Sequence, residues 1–274
     1  MILFPGSKIN LGLHVLSKRA DLYHSIESIV LKTEFTDVLE VCKLPDANKS
    51  DKVHIVLYNA SEEIDAKQNI CYKAYQILDQ QFSLDPVQIN LIKNVPSGAG
   101  LGGGSADGTA TLHALNSLFN LSLNSDQIKE MSLQLGSDCP LFVDKNMYHI
   151  SGRGEILKEL SIDLSKYWIV IAKPQASVST ATAYSKITCN AKRGSLLDII
   201  QLPVIEWRDH LFNDFEEYVS NEITEIMQIK DNFYNNGAIY ASMSGSGSAV
   251  YGLFESEPEC NLDSIVYKGR IKAI

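Results

Sequence analysis

Five glycines among eleven residues constrain this chain more than any other feature: Pro96-Ser97-Gly98-Ala99-Gly100-Leu101-Gly102-Gly103-Gly104-Ser105-Ala106. The run lies between a strand-like segment over 87–95 and a helix that carries Leu112, Leu115 and Phe119 on one face. Glycines at this density let backbone N–H groups approach an anion without obstruction from a Cβ. The helix that follows adds unpaired N–H groups and the positive end of its dipole, so the run reads as a phosphate-binding loop. A Walker A loop needs Lys-Ser or Lys-Thr after its last glycine, and here Ser105-Ala106 follow Gly104. Gly98-x-Gly100-x-x-Gly103 has the form of the dinucleotide fingerprint. However, the positions about 20 residues on hold Leu118, Phe119 and Asn120 rather than an acid.

Charge narrows the partners. The chain carries 24 basic and 33 acidic residues, a net charge of −9, so it lacks the basic surplus that neutralising a nucleic-acid backbone demands. No membrane is expected either: apolar stretches such as Trp168 to Ala172 fall far short of the roughly 20 residues a spanning helix needs. Met1-Ile2-Leu3-Phe4-Pro5 has no basic lead-in and stops at a proline, unlike a secretory signal. Cys42, Cys71, Cys139, Cys189 and Cys260 are odd in number and widely spaced, which predicts free thiols and a cytoplasmic setting.

Along the chain, Ile9, Leu11, Leu13 and Val15 alternate with Lys8, Asn10, Gly12 and His14, predicting a strand from near residue 8. Further strands are predicted over 26–31, 53–57 and 87–95. Helices are predicted over 69–82, after the glycines at 102–104, and from an N-cap at Ser125 to a stop at Gly136. Ser151-Gly152-Arg153-Gly154 reads as a turn-rich break. A strand over 167–172, helices over 209–219 and 222–235, and a strand over 239–242 follow it. Strands and helices without repeating βα alternation predict an α+β fold, with a boundary near 150–160.

Two distant segments add chemistry. Pro5-Gly6-Ser7-Lys8-Ile9-Asn10-Leu11 places a lysine at the start of a strand, and Leu135-Gly136-Ser137-Asp138-Cys139-Pro140 places an aspartate on a tight turn. Alone, each is an ordinary solvated or turn residue. Together with the glycine run and with Met243-Ser244-Gly245-Ser246-Gly247-Ser248-Ala249, in this order, they resemble the superfamily of galactokinase, homoserine kinase, mevalonate kinase and phosphomevalonate kinase, the GHMP kinases. Within it, the opening signature resembles the branch that acts on a cytidine diphosphate-linked methylerythritol in the non-mevalonate isoprenoid pathway. Asp21-Leu22-Tyr23-His24, Asn69-Ile70 with Lys73-Ala74, Lys173-Pro174, Val178-Ser179-Thr180 and Asn213-Asp214-Phe215-Glu216 are similar to landmarks of that branch. Leu22 stands where the branch usually carries glycine, and Ala106-Asp107-Gly108 differs from its commoner serine and alanine pattern.

The resemblance implies transfer of the γ-phosphoryl group of ATP to a hydroxyl, with Asp138 as general base and Lys8 as charge stabiliser. Pro96, Ser97, Gly98, Ala99, Gly100, Leu101, Gly102, Gly103, Gly104, Ser105, Ala106 and Asp107 would hold the ATP phosphates, with Asn69 and Lys93 near the adenosine. Asn10, Tyr23, His24, Thr180 and Gly245 would meet the substrate. Mg²⁺ is expected from the chemistry, but no paired carboxylates announce its ligands. The implied architecture is an N-terminal part over 1–155 like ribosomal protein S5 domain 2 and a ferredoxin-like C-terminal part over 156–267, with 268–274 a candidate return to the N-terminal sheet. Two alternatives stay open: another GHMP kinase acting on mevalonate, homoserine or a sugar, and a nucleotide-binding module without catalysis.

Overall fold

The computed structural model describes residues 1–44, 52–60 and 65–273. Along the chain run β1 (Ile2–Leu3), β2 (Gly6–Lys18), β3 (His24–Thr36), β4 (Val38–Lys43), β5 (Val53–Tyr58), α1 (Ile70–Phe82), β6 (Val87–Ile92), α2 (Gly103–Leu118) and α3 (Ser125–Leu133). Then come β7 (Met147–Ser151), β8 (Ile156–Leu160), β9 (Trp168–Ala172), α4 (Thr180–Lys186), α5 (Leu196–Ile199), α6 (Trp207–His210), α7 (Asp214–Glu222), α8 (Glu225–Asn235), β10 (Tyr240–Met243), β11 (Val250–Phe254) and β12 (Ile265–Arg270). They form two compact units, neither continuous in sequence: Met1–Ser7, Phe35–Val95 and Gly102–Lys145 make the first, and Lys8–Glu34, Pro96–Leu101 and Asn146–Ile274 the second.

The first unit has one sheet in the order β1-β4-β6-β5, antiparallel except for the parallel pair β5–β6. Leu39, Val41, Ile89 and Leu91 from the sheet bury against Leu78 of α1 and Leu112 and Leu115 of α2. Each such side chain contributes about 1.5–3 kcal/mol of burial. α1 starts at Asn69, whose side chain accepts from Cys71 N, and ends at a left-handed Ser83. α3 is capped by Asn124 in a capping box with Gln127, so the predicted N-cap moves back one residue and Ser125 becomes the first helical position.

The second unit has two sheets, β2-β3-β7-β8 and β10-β11-β9-β12. Ser151-Gly152-Arg153-Gly154, read from sequence as a break between parts, is instead the turn of the β7–β8 hairpin, which pairs Ser151 with Ile156. The same residues that break a pattern also turn a hairpin, so composition alone does not distinguish them. The last sheet contains β9, a helical connection, the β10–β11 hairpin and β12, resembling a ferredoxin-like βαββαβ unit, although 255–264 joins β11 to β12 without a helix. β12 lies against β9, with Lys268 opposite Val170, so 268–270 do not return to the N-terminal sheet. The backbone N–H of Ile271 donates to Tyr167 O, and residue 274 lies outside the described residues.

β2 carries a local distortion at Gly12, which has φ +72°. A Cβ there would lie 2.7 Å from Leu211 Cδ1 and 2.8 Å from Leu196 Cδ2, so these leucines close over the strand only because the position is glycine. Gly12→Ala is expected to destabilise the chain by about 2 kcal/mol, combining overpacking with a left-handed alanine. Urea unfolding of the purified variant measures it, and an unchanged midpoint would show that the leucines simply swing aside.

Candidate active site

In the second unit the site begins at β2. Lys8 and Asn10 are buried, and Lys8 Nζ donates to Asn10 Oδ1 at 2.5 Å. Asn10 is oriented from its other end: its Nδ2 donates to Ser28 Oγ at 2.8 Å, and Ser28 Oγ donates to Gly12 O at 2.6 Å. The amide oxygen therefore faces the lysine. Tyr251 Oη donates to Asn10 O at 2.8 Å, fixing the strand from the neighbouring sheet.

Residues 96–101 run past the same strand. Lys8 N donates to Leu101 O at 2.8 Å and Ala249 N to Ala99 O at 3.1 Å. Ser244 Oγ donates to Gly100 O at 2.9 Å and accepts from Asn10 N at 3.3 Å. Asn213 Nδ2 donates to Met243 O and Gly245 O, at 2.7 and 2.8 Å, holding the 243–249 turn in shape. Thus Lys8, Asn10, the first half of the glycine run and Gly245 lie together. Thr180 joins through its Oγ1, 2.8 Å from Ser246 Oγ.

The Asp21-Leu22-Tyr23-His24 segment forms the tight connection from β2 to β3. Leu22 adopts φ +68°, a left-handed conformation that favours glycine. Arg19 N donates to Tyr23 O, Leu22 N to Arg19 O, and the Arg19 guanidinium pairs with Asp21. Tyr23 is exposed, with the Arg153 guanidinium 4.8 Å from its ring centroid. His24 stacks on Tyr184 at 5.1 Å, and Tyr184 meets Phe215 edge-on at 4.7 Å. Burial and the Lys18 ammonium hold the His24 imidazole below its ordinary value, so at neutral pH it offers one donor and one acceptor. Tyr184 was not predicted. Its signal, an aromatic just after Val178-Ser179-Thr180 on a short helix, is weak in sequence.

Other candidate residues lie in the first unit. α2 opens at Gly102 in a left-handed conformation with no side-chain cap, leaving the first-turn N–H groups without intrahelical acceptors. Gly104 is exposed there, with open space where a Cβ would be. Ser105 sits in that first turn. This head of α2 fits phosphate. Among the described residues no three His, Cys, Asp or Glu side chains gather to hold a metal by themselves. Asp138, half-buried, starts a 3-10 turn over Cys139–Phe142, and Thr109 Oγ1 of α2 donates to Cys139 O at 2.8 Å. One helix therefore both opens with an uncapped first turn and anchors the turn bearing the aspartate.

Asn69 and Lys93 are also in this unit, and both are already engaged. Asn69 caps α1. Lys93 Nζ donates to Asp37 Oδ2 and, at 2.6 Å, to Asp107 Oδ2. Burial opposes its charge, but the two carboxylates outweigh burial and hold Lys93 above its ordinary value. Asp107 Oδ1 is buried with no hydrogen-bond partner among the described residues. Burial, against the pull of Lys93 and aided by Asp37, raises the Asp107 carboxyl to about 7. Burial and then Asp107 raise the Cys71 thiol of α1 to about 12.

Two family matches agree with this arrangement: the GHMP kinases N terminal domain over residues 69–144 and the GHMP kinases C terminal domain over 201–259. A crystal structure of mevalonate kinase, 15% identical, superposes with a TM-score of 0.71 over 93% of this chain and 91% of that one, and so shares the fold. These features define the class: a GHMP kinase, with ATP as phosphoryl donor. A 4-diphosphocytidyl-2-C-methyl-D-erythritol kinase of Bacteroides thetaiotaomicron is 41% identical over 276 residues, 99% of this chain and all of its own length. Its counterpart in Bacteroides fragilis is 43% identical, covering 94% of this chain and 93% of its own. The crystal structure of a 4-(cytidine 5'-diphospho)-2C-methyl-D-erythritol kinase, 25% identical, superposes with a TM-score of 0.79 over 94% of this chain and 91% of that one. The chain belongs to the 4-diphosphocytidyl-2-C-methyl-D-erythritol kinase family. Among its described residues no helix is long and apolar enough to cross a membrane.

The first unit's buried carboxyl makes a measurable claim. Folding raises Asp107 from 3.8 to about 7, so the folded chain takes up this proton more readily than the unfolded chain. Its contribution to stability is full below pH 3.8 and is lost as pH rises through about 7. Asp107→Asn cannot ionise. Urea unfolding at pH 5 and pH 8 should find wild type losing ground to the variant at the higher pH, with Asp37, Lys93 and Cys71 common to both. A pH-independent difference would place the ionisation elsewhere.

Proposed function

We propose that this kinase phosphorylates the 2-hydroxyl of 4-diphosphocytidyl-2-C-methyl-D-erythritol, giving the 2-phosphate, in the non-mevalonate isoprenoid pathway. The observation that carries the reading is full-length identity above 40% to kinases of that name, with Lys8, Asn10, Tyr23, His24, the glycine run and Asp138 all present. In this reading, Asp138 accepts the proton of the acceptor hydroxyl as its oxygen attacks the γ-phosphorus. The bond from that phosphorus to the β-bridging oxygen breaks, and ADP leaves. Transfer of this kind is governed by positioning and charge stabilisation more than by covalent chemistry, which suits a carboxylate base.

Lys8 is the charge stabiliser. Asn10 Oδ1 supports its ammonium, and Asn10 is itself held by Ser28, so the charge is fixed before substrate arrives. By family resemblance, residues 96–106 receive the ATP phosphates. Ser105, together with those phosphates, would hold Mg²⁺, which would neutralise charge there. Asn69 and Lys93 are assigned to the adenosine side by family resemblance, although their side chains are engaged within the protein. At the acceptor end, Tyr23 offers an exposed ring for a base and His24 a neutral imidazole for hydrogen bonding, braced by Tyr184. Thr180 and Gly245 complete the substrate contacts.

Incubation with ATP, Mg²⁺ and 4-diphosphocytidyl-2-C-methyl-D-erythritol should add one phosphate by mass spectrometry, at the 2-position by NMR. Phosphorylation of mevalonate, homoserine or a sugar in its place would overturn the assignment. Asp138→Asn should lower kcat by roughly 10² to 10⁴ while ATP still binds. Lys8→Met should lower kcat more than it raises the KM for ATP; an effect confined to KM would make Lys8 a phosphate anchor instead. A site that reads cytosine leaves polar groups unpaired against uracil. The uridine analogue should therefore be a poor acceptor, and His24→Ala should lower kcat/KM for the cytidine substrate. Equal use of both nucleotides by the unmodified enzyme would leave only a general kinase.

A further inference from the structure

The buried cluster at Asp37, Lys93 and Asp107 joins three pieces of chain that meet at the glycine run. Asp37 lies in the turn between β3 and β4 and is fully buried. Its Oδ1 accepts from Asn94 N at 2.6 Å and Val95 N at 2.8 Å, the last two residues before Pro96. Its Oδ2 accepts from Lys93 Nζ, which also donates to Asp107 Oδ2, one turn into α2. The run's two ends touch directly: a Cβ at Gly103 would lie 2.8 Å from Val95 Cγ1 and 3.5 Å from Asp37 Oδ2. One carboxylate thus holds the backbone entering the run, one holds the helix leaving it, and a single ammonium joins them.

We propose that Asp37, Lys93 and Asp107 form a brace that sets the distance and angle between the two ends of the phosphate-binding run, making Asp37 and Lys93 positioning residues for ATP phosphate. The proposal rests on the reading of 96–106 as the phosphate-binding loop. It gives Lys93 a different task from the adenosine contact that family resemblance implies, because its ammonium is shared between two carboxylates. It also explains why three charged groups are kept in a nearly dry place beside a loop with no charge of its own. Removing one partner of a buried ion pair leaves an uncompensated charge, whereas removing both is far better tolerated.

The test is the double variant Asp37→Asn/Lys93→Met, compared with wild type and with each single variant. Inorganic tripolyphosphate is the probe, measured as an inhibitor competitive with ATP. It carries the phosphates and no adenosine. Small misplacements of binding groups cost up to about a hundredfold, so the double variant should raise the tripolyphosphate inhibition constant and the KM for ATP together, by about ten- to a hundredfold. The KM of the alcohol acceptor should stay within about twofold. The double variant should be no worse than the worse single, since both singles break one device. Weaker ATP binding with unchanged tripolyphosphate inhibition would overturn the brace and return Lys93 to the adenosine. Unchanged values for both would overturn it outright. If the double variant fails to fold by circular dichroism, Lys93→Arg, which keeps a cation between the two carboxylates but changes its reach, carries the same readout. Failure of tripolyphosphate to inhibit wild type would overturn the loop reading, and the brace with it.

Discussion

At position 100 the chain has room for a hydrogen atom and nothing larger, because a Cβ would lie 2.0 Å from the Ser244 carbonyl oxygen. That approach organises the candidate residues of the second unit. With the two backbones this close, the Ser244 hydroxyl spans them, donating to Gly100 O while accepting from Asn10 N. Asn10 then turns its amide oxygen to Lys8, and Asn213 holds the carbonyls on either side of Ser244. Individually these hydrogen bonds contribute about 1 kcal/mol each. Their effect lies in mutual dependence: moving the 243–249 turn outward by the width of a methyl group would undo the partners of Gly100 and Asn10 at once.

Much of this could be read from residue order, and the parts that could not share a cause. α1, α2 and β6 showed because each buries one face, so their apolar residues recur at a helical or strand period, whereas β2 showed by its alternation of residue types although both its faces are buried. β11, Val-Tyr-Gly-Leu-Phe, is buried along its whole length and has no alternation to find. The β7–β8 hairpin was hidden because the turn that joins two paired strands has the composition of a break between parts. The N-terminal strands β2 and β3 group with later elements, a long-range choice that no local pattern encodes. The glycine run, Lys8 and Asp138 stand out as candidates because motif order marks them by family resemblance. Asp37 does not, since a lone aspartate after a strand looks like any turn residue until its carboxylate is seen holding Asn94 and Val95.

The turn carrying Tyr23 and His24 places a leucine in a conformation that favours glycine. A leucine in the left-handed region costs about 1–2 kcal/mol relative to an ordinary conformation. Backbone bonds among Arg19, Leu22 and Tyr23, with Asp21 Oδ1 accepting from Tyr23 N, hold it there. The exposed leucine side chain points away from any core, so the substitution costs the turn conformational strain without crowding its neighbours. His24 is placed from the other side by Tyr184, which in turn rests on Phe215.

The spacing of Gly100 and Ser244, 144 residues apart, has a consequence for how the protein is made. A ribosome adding roughly 5–20 residues per second leaves the glycine run outside the exit tunnel for on the order of ten seconds before its partner turn exists. Through that interval the nascent chain can build β4, β5, β6 and the first three helices, whose contacts are all upstream. It cannot give residues 96–101 their final course. Newly made chains therefore pass through a stage with a nearly complete first unit and an unfinished glycine run, whose final course arrives only with the closing strands, β10 and β11.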